Sequence, residues 1–298
     1  MRIQLLLSLA LLTPFVHAQK VTLPLWPGGN PEPYTGGPET DITKPTDRLV
    51  AGKSLTHLTN IGKPTLAFYP APQAHNTGAT IVVFPGGGYR ILAYDLEGIE
   101  VCTWLNSIGV NCALVKYRVP FEKKFPEDTA DLEDAQQAMR ITRSHAAEWK
   151  LDPHRIGVLG FSAGAHLVVV LGNHPDFARS GAPALEASIS ARPDFVIAIY
   201  PAYLAELPAL TQLAKGIDPS ANTPPTFLLQ AEDDPVHVEN VLVYEQALKQ
   251  LKVPGEVHVY AEGGHGYGLR PTALPVTHWP SLVETWLNTI HVLPAKMK

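Results

Sequence analysis

A serine between glycines is the strongest candidate for chemistry in this 298-residue sequence. Ser162 lies in the segment GFSAG, which matches the pattern G-x-S-x-G, with an apolar strand predicted directly before it and a helix directly after it. In that context the serine stands on a tight turn, and the flanking glycines leave room for it. The N–H of the next residue, Ala163, is then placed to stabilise an oxyanion. The pattern predicts a nucleophilic serine rather than an incidental Gly-Ser-Gly turn.

A serine nucleophile needs a base, and the base needs a carboxylate that orients it. His265 lies between glycines in GGHGYG, shortly after a predicted strand, where core packing does not call for a histidine. Other histidines have structural interpretations; His166, for example, falls inside the helix that follows Ser162. The sequence therefore predicts His265 as the base.

Three consecutive carboxylates follow another late strand, and they are the candidates for the acid: Glu232, Asp233 and Asp234. Their mutual repulsion predicts that only one of them lies against the imidazole. In serine hydrolases the acid recurrently stands three residues before a valine that packs back into the sheet, and Val236 then points to Asp233. Asp234 is the second candidate and Glu232 the third.

The elements that must position these side chains alternate between strands and helices. Apolar runs predict strands at 65–70, 79–85, 111–117, 155–160, 194–200, 226–231 and 256–261. Amphipathic or apolar runs predict helices at about 95–108 and 128–150, after Ser162, and at 238–252 and 279–291. Such alternation predicts an α/β fold, with a mostly parallel sheet covered by helices on both faces.

The ends and loops of the chain suggest how it is organised. Residues 1–18 have the layout of a secretory signal peptide, so we expect a protein that is secreted or periplasmic and has no stable membrane association after cleavage. Residues 19–298 form one predicted domain, with an extended arm at about 20–48 and an irregular, proline-rich cap segment at about 201–224.

Composition excludes some partners. A formal net charge of −5 argues against a nucleic-acid partner, because no basic cluster is present to neutralise phosphates. The only cysteines, Cys102 and Cys112, both lie in apolar surroundings, which favours buried packing thiols and leaves a single disulfide open.

Four segments together resemble the α/β-hydrolase superfamily: FPGGGYR, GFSAGAHL, EDDPVHVEN and GGHGYG. More narrowly, they resemble secreted bacterial esterases of the acetyl-xylan esterase-like type, often labelled endo-1,4-β-xylanase B-like, and the likeness extends from LPLWPGG to the last helix. The resemblance implies an α/β-hydrolase fold with about eight strands, and Ser162 as nucleophile, Asp233 as acid and His265 as base. It also implies acetyl or other short acyl esters on plant polysaccharide fragments as substrates.

The glycine segment PGGG at 85–88 could hold a phosphate, stabilise an oxyanion or form a simple turn. No Walker lysine and no G-x-G-x-x-G spacing accompany it, which sets phosphate binding aside. The family resemblance implies that Gly87 and Gly88 supply oxyanion donors. It also exposes one departure, because Pro85 stands where related esterases have a histidine that could brace the loop. The candidates for lining the substrate cleft are Tyr89, Arg90 and Tyr200. An interpretation of these three as ordinary loop residues fits the sequence equally well.

Other function classes are less well supported by the sequence. The sequence contains neither an H-E-x-x-H motif nor paired cysteines, so no metal site is predicted and no cofactor is expected. A glycosidase would need two opposed carboxylates, whereas a single acidic cluster is present. The remaining alternatives are a serine peptidase-like or feruloyl esterase activity on the same fold, and an inactive carbohydrate-binding relative. The intact serine, acid and histidine order argues against the last of these.

Overall fold

The computed structural model describes residues 21–177 and 188–293, so the predicted signal peptide lies outside the described residues. The strands in these two ranges are β1 (Val21–Pro24), β2 (Thr40–Asp41), β3 (His57–Thr59), β4 (Thr65–Tyr69), β5 (Thr80–Phe84), β6 (Leu92–Ala93), β7 (Asn111–Lys116), β8 (Ile156–Phe161), β9 (Val196–Ile199), β10 (Thr226–Ala231) and β11 (Gly255–Tyr260). The α-helices are α1 (Glu100–Ser107), α2 (Ala130–Ser144), α3 (Ala146–Trp149), α4 (Ala163–Asn173), α5 (Glu239–Leu251) and α6 (Trp279–Thr289).

Eight of the described strands form one central sheet in the order β1-β4-β7-β5-β8-β9-β10-β11. From β7 to β11 every neighbouring pair is parallel, whereas β4 runs antiparallel to both β1 and β7. The carboxyl ends of β5, β8, β9, β10 and β11 therefore meet at one edge of the sheet. This confirms the predicted α/β class and the mostly parallel sheet.

Two separate apolar cores cover the faces of this sheet. Because side chains alternate along a strand, Val82 and Phe84 of β5 point into one core while Ile81 and Val83 point into the other. Helices α2, α4 and α5 pack on the first face, and α1 and α6 pack on the second. The largely apolar composition of the central strands follows from this burial on both faces.

The N-terminal arm is more ordered than the sequence suggests. Its strand β1 pairs antiparallel with β4 at the edge of the sheet, from Val21↔Phe68 to Pro24↔Thr65. Further along, β2, β3 and β6 form a small three-stranded sheet beside the domain. These strands are two to four residues long, too short to give a clear alternation in the sequence.

The two long predicted helices are each interrupted. The first begins with a π-helical turn at Asp95–Ile99 and continues as α1. The second divides at His145 into α2 and α3, and α3 ends at Lys150 in a left-handed conformation, with φ +57°. The predicted cap segment, 201–224, contains no helix or strand and only an isolated bridge between Ala205 and Leu213.

The two cysteines form a disulfide, so the favoured interpretation as packing thiols is wrong. Cys102 lies on α1 and Cys112 on β7, and their Cα atoms are 5.2 Å apart. Both are buried in the core between α1 and the sheet. Their apolar neighbours correctly indicated burial, but the sequence does not show that the helix passes over that strand.

No helix among the residues described is long and apolar enough to span a membrane. Within the same residues no group of three or more histidine, cysteine or acidic side chains is arranged to hold a metal ion.

Candidate active site

Ser162 occupies the tight turn between β8 and α4. Its backbone has φ +52° and ψ −116°, a conformation that side-chain-bearing residues rarely adopt. The turn is possible because Gly160 and Gly164 lack side chains: a Cβ atom on Gly160 would collide with the carbonyl oxygen of Gly164, and one on Gly164 with that of Phe84. The Ser162 N–H donates to the Ile199 carbonyl at 3.1 Å, which ties the turn to β9. The serine is only 9% exposed, so it is largely buried at the carboxyl edge of the sheet.

His265 reaches this hydroxyl from the loop after β11. Its Nε2 lies 2.8 Å from the Ser162 Oγ, and its Nδ1 lies 2.9 and 3.0 Å from the two carboxylate oxygens of Asp234. We assign the proton to Nδ1 because the carboxylate can only accept, which leaves Nε2 free to accept from the serine. The three side chains thus form one continuous hydrogen-bonded chain.

Asp234, not Asp233, is the carboxylate that contacts the imidazole. Asp234 is 4% exposed, and it also accepts the Val236 N–H at 2.8 Å and the Gln230 side-chain amide at 3.2 Å. The sequence rule placed the acid three residues before Val236. Here the acid stands two residues before that valine and receives its N–H, which forms a tight local turn. The Asp234 N–H also donates back to the Ala231 carbonyl at 3.3 Å, so the chain turns immediately after β10 and directs Asp234 inward.

Asp233 has a different place in the same loop. It is exposed, and its Oδ1 accepts the N–H groups of Gly263 at 2.9 Å and Gly264 at 2.7 Å. These two glycines directly precede His265. Asp233 therefore holds the backbone of the histidine loop, while Asp234 contacts the imidazole itself.

The glycine loop after β5 faces the serine turn. A Cβ atom on Gly86 would lie 2.9 Å from the Ser162 Cβ, which shows how closely the two segments approach. Gly87 and Gly88 have φ of +136° and +63°, and within the described residues neither N–H has a protein acceptor. Ala163 begins α4, where the N–H groups of the first turn lack intrahelical acceptors. The three predicted oxyanion donors are thus brought to the same edge of the sheet.

The three residues predicted to line the cleft differ in exposure. Tyr89 and Tyr200 are buried, so neither lines an open cleft, whereas Arg90 is exposed and lines a cavity of about 690 Å³ together with Tyr34 and Phe121. Tyr89 follows three glycines and Tyr200 follows the end of β9. At such positions the sequence does not show whether a side chain lines the cleft or is buried behind it.

Tyr89 instead belongs to a buried polar cluster beneath the glycine loop. Its hydroxyl lies 2.6 Å from His166 Nδ1. Burial, together with the nearby Lys124, lowers the pKa of His166 to about 3, so this histidine is neutral. Asp131 also hydrogen-bonds with Tyr89 in this cluster, and burial raises the pKa of Asp131 to about 7. Neither His166 nor Asp131 hydrogen-bonds to Ser162 or His265 through its side chain, which agrees with a structural interpretation of His166.

A second cavity, of about 420 Å³, lies between the cap segment and the acid loop. Tyr203, Leu207 and Leu210 line it from the cap, and Pro235–His237 line it from the loop after Asp234. The Tyr203 hydroxyl would lie 4.0 Å from a Cβ atom on Gly88, so this cavity adjoins the glycine loop. The sequence does not indicate a role for Tyr203, because the proline-rich segment carries no pattern that distinguishes one of its residues from another.

Glu97 is a further buried carboxylate at the site that the sequence did not indicate. It is 3% exposed, and it accepts hydrogen bonds from the Gly86 N–H at 2.7 Å and from the Tyr200 hydroxyl at 2.8 Å. In the sequence it stands between Asp95 and Glu100, and three acids at the start of a helix are typical of a solvated first turn that complements the helix dipole. That pattern concealed its burial.

Comparison with known proteins places this geometry in a family. Residues 66–192 match the BD-FAE family model. A crystal structure of an acetyl ester-xyloside bifunctional hydrolase from Caldicellulosiruptor lactoaceticus aligns with a TM-score of 0.70 at 33% identity, over 92% of this chain and 97% of that one. A thermophilic esterase from Thermogutta terrifontis has the same fold, with a TM-score of 0.66 at 21% identity over 89% of this chain and 96% of that one.

Two curated relatives add names but are longer proteins. An acetylxylan esterase of Xylanibacter ruminicola is 29% identical over 73% of this chain, and endo-1,4-beta-xylanase B of Butyrivibrio fibrisolvens is 31% identical over 62% of it. The chain spans 46% and 32% of the lengths of these relatives. The chain belongs to the α/β-hydrolase superfamily, in its acetylxylan esterase-like branch.

Proposed function

We propose that this protein is a secreted or periplasmic serine esterase that removes acetyl or other short acyl groups from plant polysaccharide fragments. The observation that carries the proposal is the hydrogen-bonded chain from Ser162 through His265 to Asp234, set opposite the unpartnered N–H groups of Gly87 and Gly88. The substrate class rests on the named relatives, and the location rests on the signal-peptide pattern of residues 1–18.

The first half of the reaction forms an acyl-enzyme. The Ser162 Oγ attacks the ester carbonyl while His265 Nε2 takes its proton. Asp234 keeps the imidazole in the required tautomer and stabilises the imidazolium that forms. The N–H groups of Gly87, Gly88 and Ala163 stabilise the oxyanion, and they need no reorganisation because the backbone already fixes them.

The first half ends when the alcohol leaves, and the second half then releases the acid. His265 gives its proton to the leaving alcohol, which departs and leaves the acyl group on Ser162. A water molecule then loses a proton to the same nitrogen as it attacks the acyl carbonyl, and collapse of this second tetrahedral intermediate frees the serine. No metal or cofactor takes part in these steps.

A substrate panel tests the proposal. We would compare acetylated xylo-oligosaccharides, p-nitrophenyl esters of increasing acyl length, feruloyl esters and a peptide amide, using the wild type and Ser162→Ala. We expect ester hydrolysis that is fastest for acetyl groups and that falls on the order of 10⁶-fold in Ser162→Ala. Ser281→Ala serves as the matched control, because Ser281 is exposed and its hydroxyl donates only to the nearby His278 carbonyl, at 2.8 Å, among the described residues.

The outcomes separate the alternatives. Ester hydrolysis that survives in well-folded Ser162→Ala, judged by circular dichroism, would remove the nucleophile assignment. Faster cleavage of feruloyl than of acetyl esters would move the substrate class to feruloyl esters. Release of reducing sugar that is unchanged in Ser162→Ala would support a glycosidase. A wild type that cleaves no ester would refute the proposal and favour a carbohydrate-binding protein.

A further inference from the structure

The glycine loop lacks the bracing histidine of related esterases, yet its entry is held at two points. Pro85 has no N–H, and its carbonyl accepts the hydroxyl of the buried Tyr117 at 2.7 Å. The next residue, Gly86, donates its N–H to Glu97 Oε2 at 2.7 Å. A Cβ atom on Gly86 would lie 2.8 Å from that same oxygen and 2.9 Å from the Ser162 Cβ. Glu97 thus holds the loop directly behind the nucleophile, one residue before the proposed oxyanion donors.

The other oxygen of Glu97 reaches the histidine loop. The hydroxyl of Tyr200 donates to Glu97 Oε1 at 2.8 Å and accepts the Gly268 N–H at 3.2 Å. The Tyr200 ring also meets the His265 ring edge to face, with centroids 5.0 Å apart. Gly268 is fixed in turn, because its carbonyl accepts the Trp279 indole N–H at 2.8 Å. One carboxylate therefore connects the loops after β5, β9 and β11.

The surroundings of Glu97 show that its charge is not part of an ion pair. Among the described residues no lysine or arginine pairs with it, and burial raises its pKa, whereas the hydrogen bonds from Tyr200 and Gly86 lower it. A buried carboxylate is unfavourable unless hydrogen bonds compensate for its lost hydration, so these two bonds account for its place in the core. Glu97 also lies on the π-helical turn Asp95–Ile99, which widens the helix at this point; such turns are frequent at functional sites.

We propose that Glu97, acting with Tyr200, is a positioning residue that aligns the oxyanion loop with the histidine loop, in place of the missing histidine at Pro85. This inference rests on the proposed function, because it assigns Glu97 a part in the same esterase reaction. Within the described residues the hydrogen bonds of Glu97 go to Gly86 and Tyr200 and not to Ser162, His265 or Asp234. It acts through Gly86, whose position sets the direction of the Gly87 and Gly88 N–H groups.

The test compares Glu97→Leu, Glu97→Gln and Tyr200→Phe. Leucine removes both hydrogen bonds, and we expect kcat on p-nitrophenyl acetate to fall roughly 10²-fold with KM within about threefold of wild type, because a displaced donor is felt in the transition state. Glutamine retains one acceptor oxygen and should lose less than leucine. Tyr200→Phe leaves the Gly86 bond in place and should also fall between leucine and wild type.

A boronic acid that adds to Ser162 provides a readout that a purely structural role would not move. We expect its affinity to weaken by the same factor as kcat in each variant, because the boronate occupies the oxyanion position. The matched control is Asp134→Asn. Asp134 is another buried carboxylate that accepts a backbone N–H, that of Arg118 at 2.9 Å, and within the described residues its hydrogen bonds go to Arg118 and Trp26 and not to the triad.

Wild-type hydrolysis of the same ester, abolished in Ser162→Ala, establishes the proposed function independently of this inference. If the wild type is active, the inference is overturned when Glu97→Leu retains wild-type kcat, or when Asp134→Asn at equal thermal stability loses as much kcat. A change in KM without a change in kcat or in boronate affinity also overturns it. If the leucine variant does not fold, Glu97→Gln and Tyr200→Phe decide by the same criteria.

Discussion

The assignment of the triad acid can be tested by two neighbouring substitutions of the same kind, Asp234→Asn and Asp233→Asn. Each removes one negative charge and changes the side-chain volume very little. Only Asp234 contacts the imidazole, at 2.9 and 3.0 Å from the His265 Nδ1. Asp233 instead accepts two backbone N–H groups through one oxygen, at 2.9 and 2.7 Å. The pair therefore separates the loss of the acid from the loss of a nearby carboxylate.

The expected magnitudes differ widely. In Asp234→Asn the amide can present its NH₂ group to His265 Nδ1, which favours the tautomer that carries its proton on Nε2 and cannot accept from the Ser162 Oγ. A change of this kind costs on the order of 10⁴-fold in kcat, or about 5 kcal/mol in transition-state stabilisation. In Asp233→Asn the amide oxygen can still accept both glycine N–H groups, and the site is solvated, so we expect a loss of less than about tenfold.

The assay is the initial rate on p-nitrophenyl acetate at neutral pH, with kcat and KM determined separately. Thermal unfolding of both variants shows whether a loss of rate follows from a loss of folded protein. The assignment of Asp234 is supported if the two variants are equally stable and the kcat of Asp234→Asn is at least a hundredfold below that of Asp233→Asn. The reverse order, with Asp233→Asn the slower enzyme, would refute the assignment of Asp234 and restore the choice made from the sequence.

Two further predictions concern stability. Burial raises the pKa of Asp131 from 3.8 to about 7, so between these pH values the folded state binds one more proton than the unfolded state and loses stability as pH rises. Relative to wild type, Asp131→Asn should gain roughly 1.4 kcal/mol per pH unit across that window, about 4 kcal/mol in all, measured by urea unfolding at a series of pH values; a pH-independent difference would contradict this. Replacement of both Cys102 and Cys112 by serine should lower the free energy of unfolding by about 3 kcal/mol, because their disulfide closes a loop with a sequence separation of 10. Unchanged stability, together with two titratable thiols in denatured wild type, would contradict the disulfide.

Local patterns were sufficient for some of this site. The G-x-S-x-G turn needs a strand before it and a helix after it, and both are visible in the sequence around Ser162. His265 stood out because a histidine between glycines after a strand has no packing role. The alternation of apolar runs with helices predicted the parallel sheet, because its central strands β5, β7, β8, β9 and β10 are buried on both faces.

Other features depended on contacts that no local pattern contains. The choice between Asp233 and Asp234 is decided by a turn in which Asp234 accepts the Val236 N–H. The sequence around Val236 is compatible with either aspartate as the acid. Tyr200 follows a strand at the functional edge, as a cleft residue would, yet the loop after β11 covers it completely. In the sequence Glu97 resembles a solvated acid at the start of a helix. Its hydrogen bond from the Gly86 N–H shows instead that it lies beneath the glycine loop.

Two independent sets of hydrogen bonds hold the loops at this sheet edge together. One runs through the reacting side chains, from Ser162 through His265 to Asp234. The other runs beneath them, from Gly86 through Glu97 and Tyr200 to Gly268, and it includes no group that exchanges a proton in the proposed reaction. Because the second set does not depend on the first, removing the acid should abolish proton transfer while the oxyanion donors stay aligned. Removing Glu97 should do the opposite, so in Glu97→Leu the boronate affinity should weaken by the same factor as kcat.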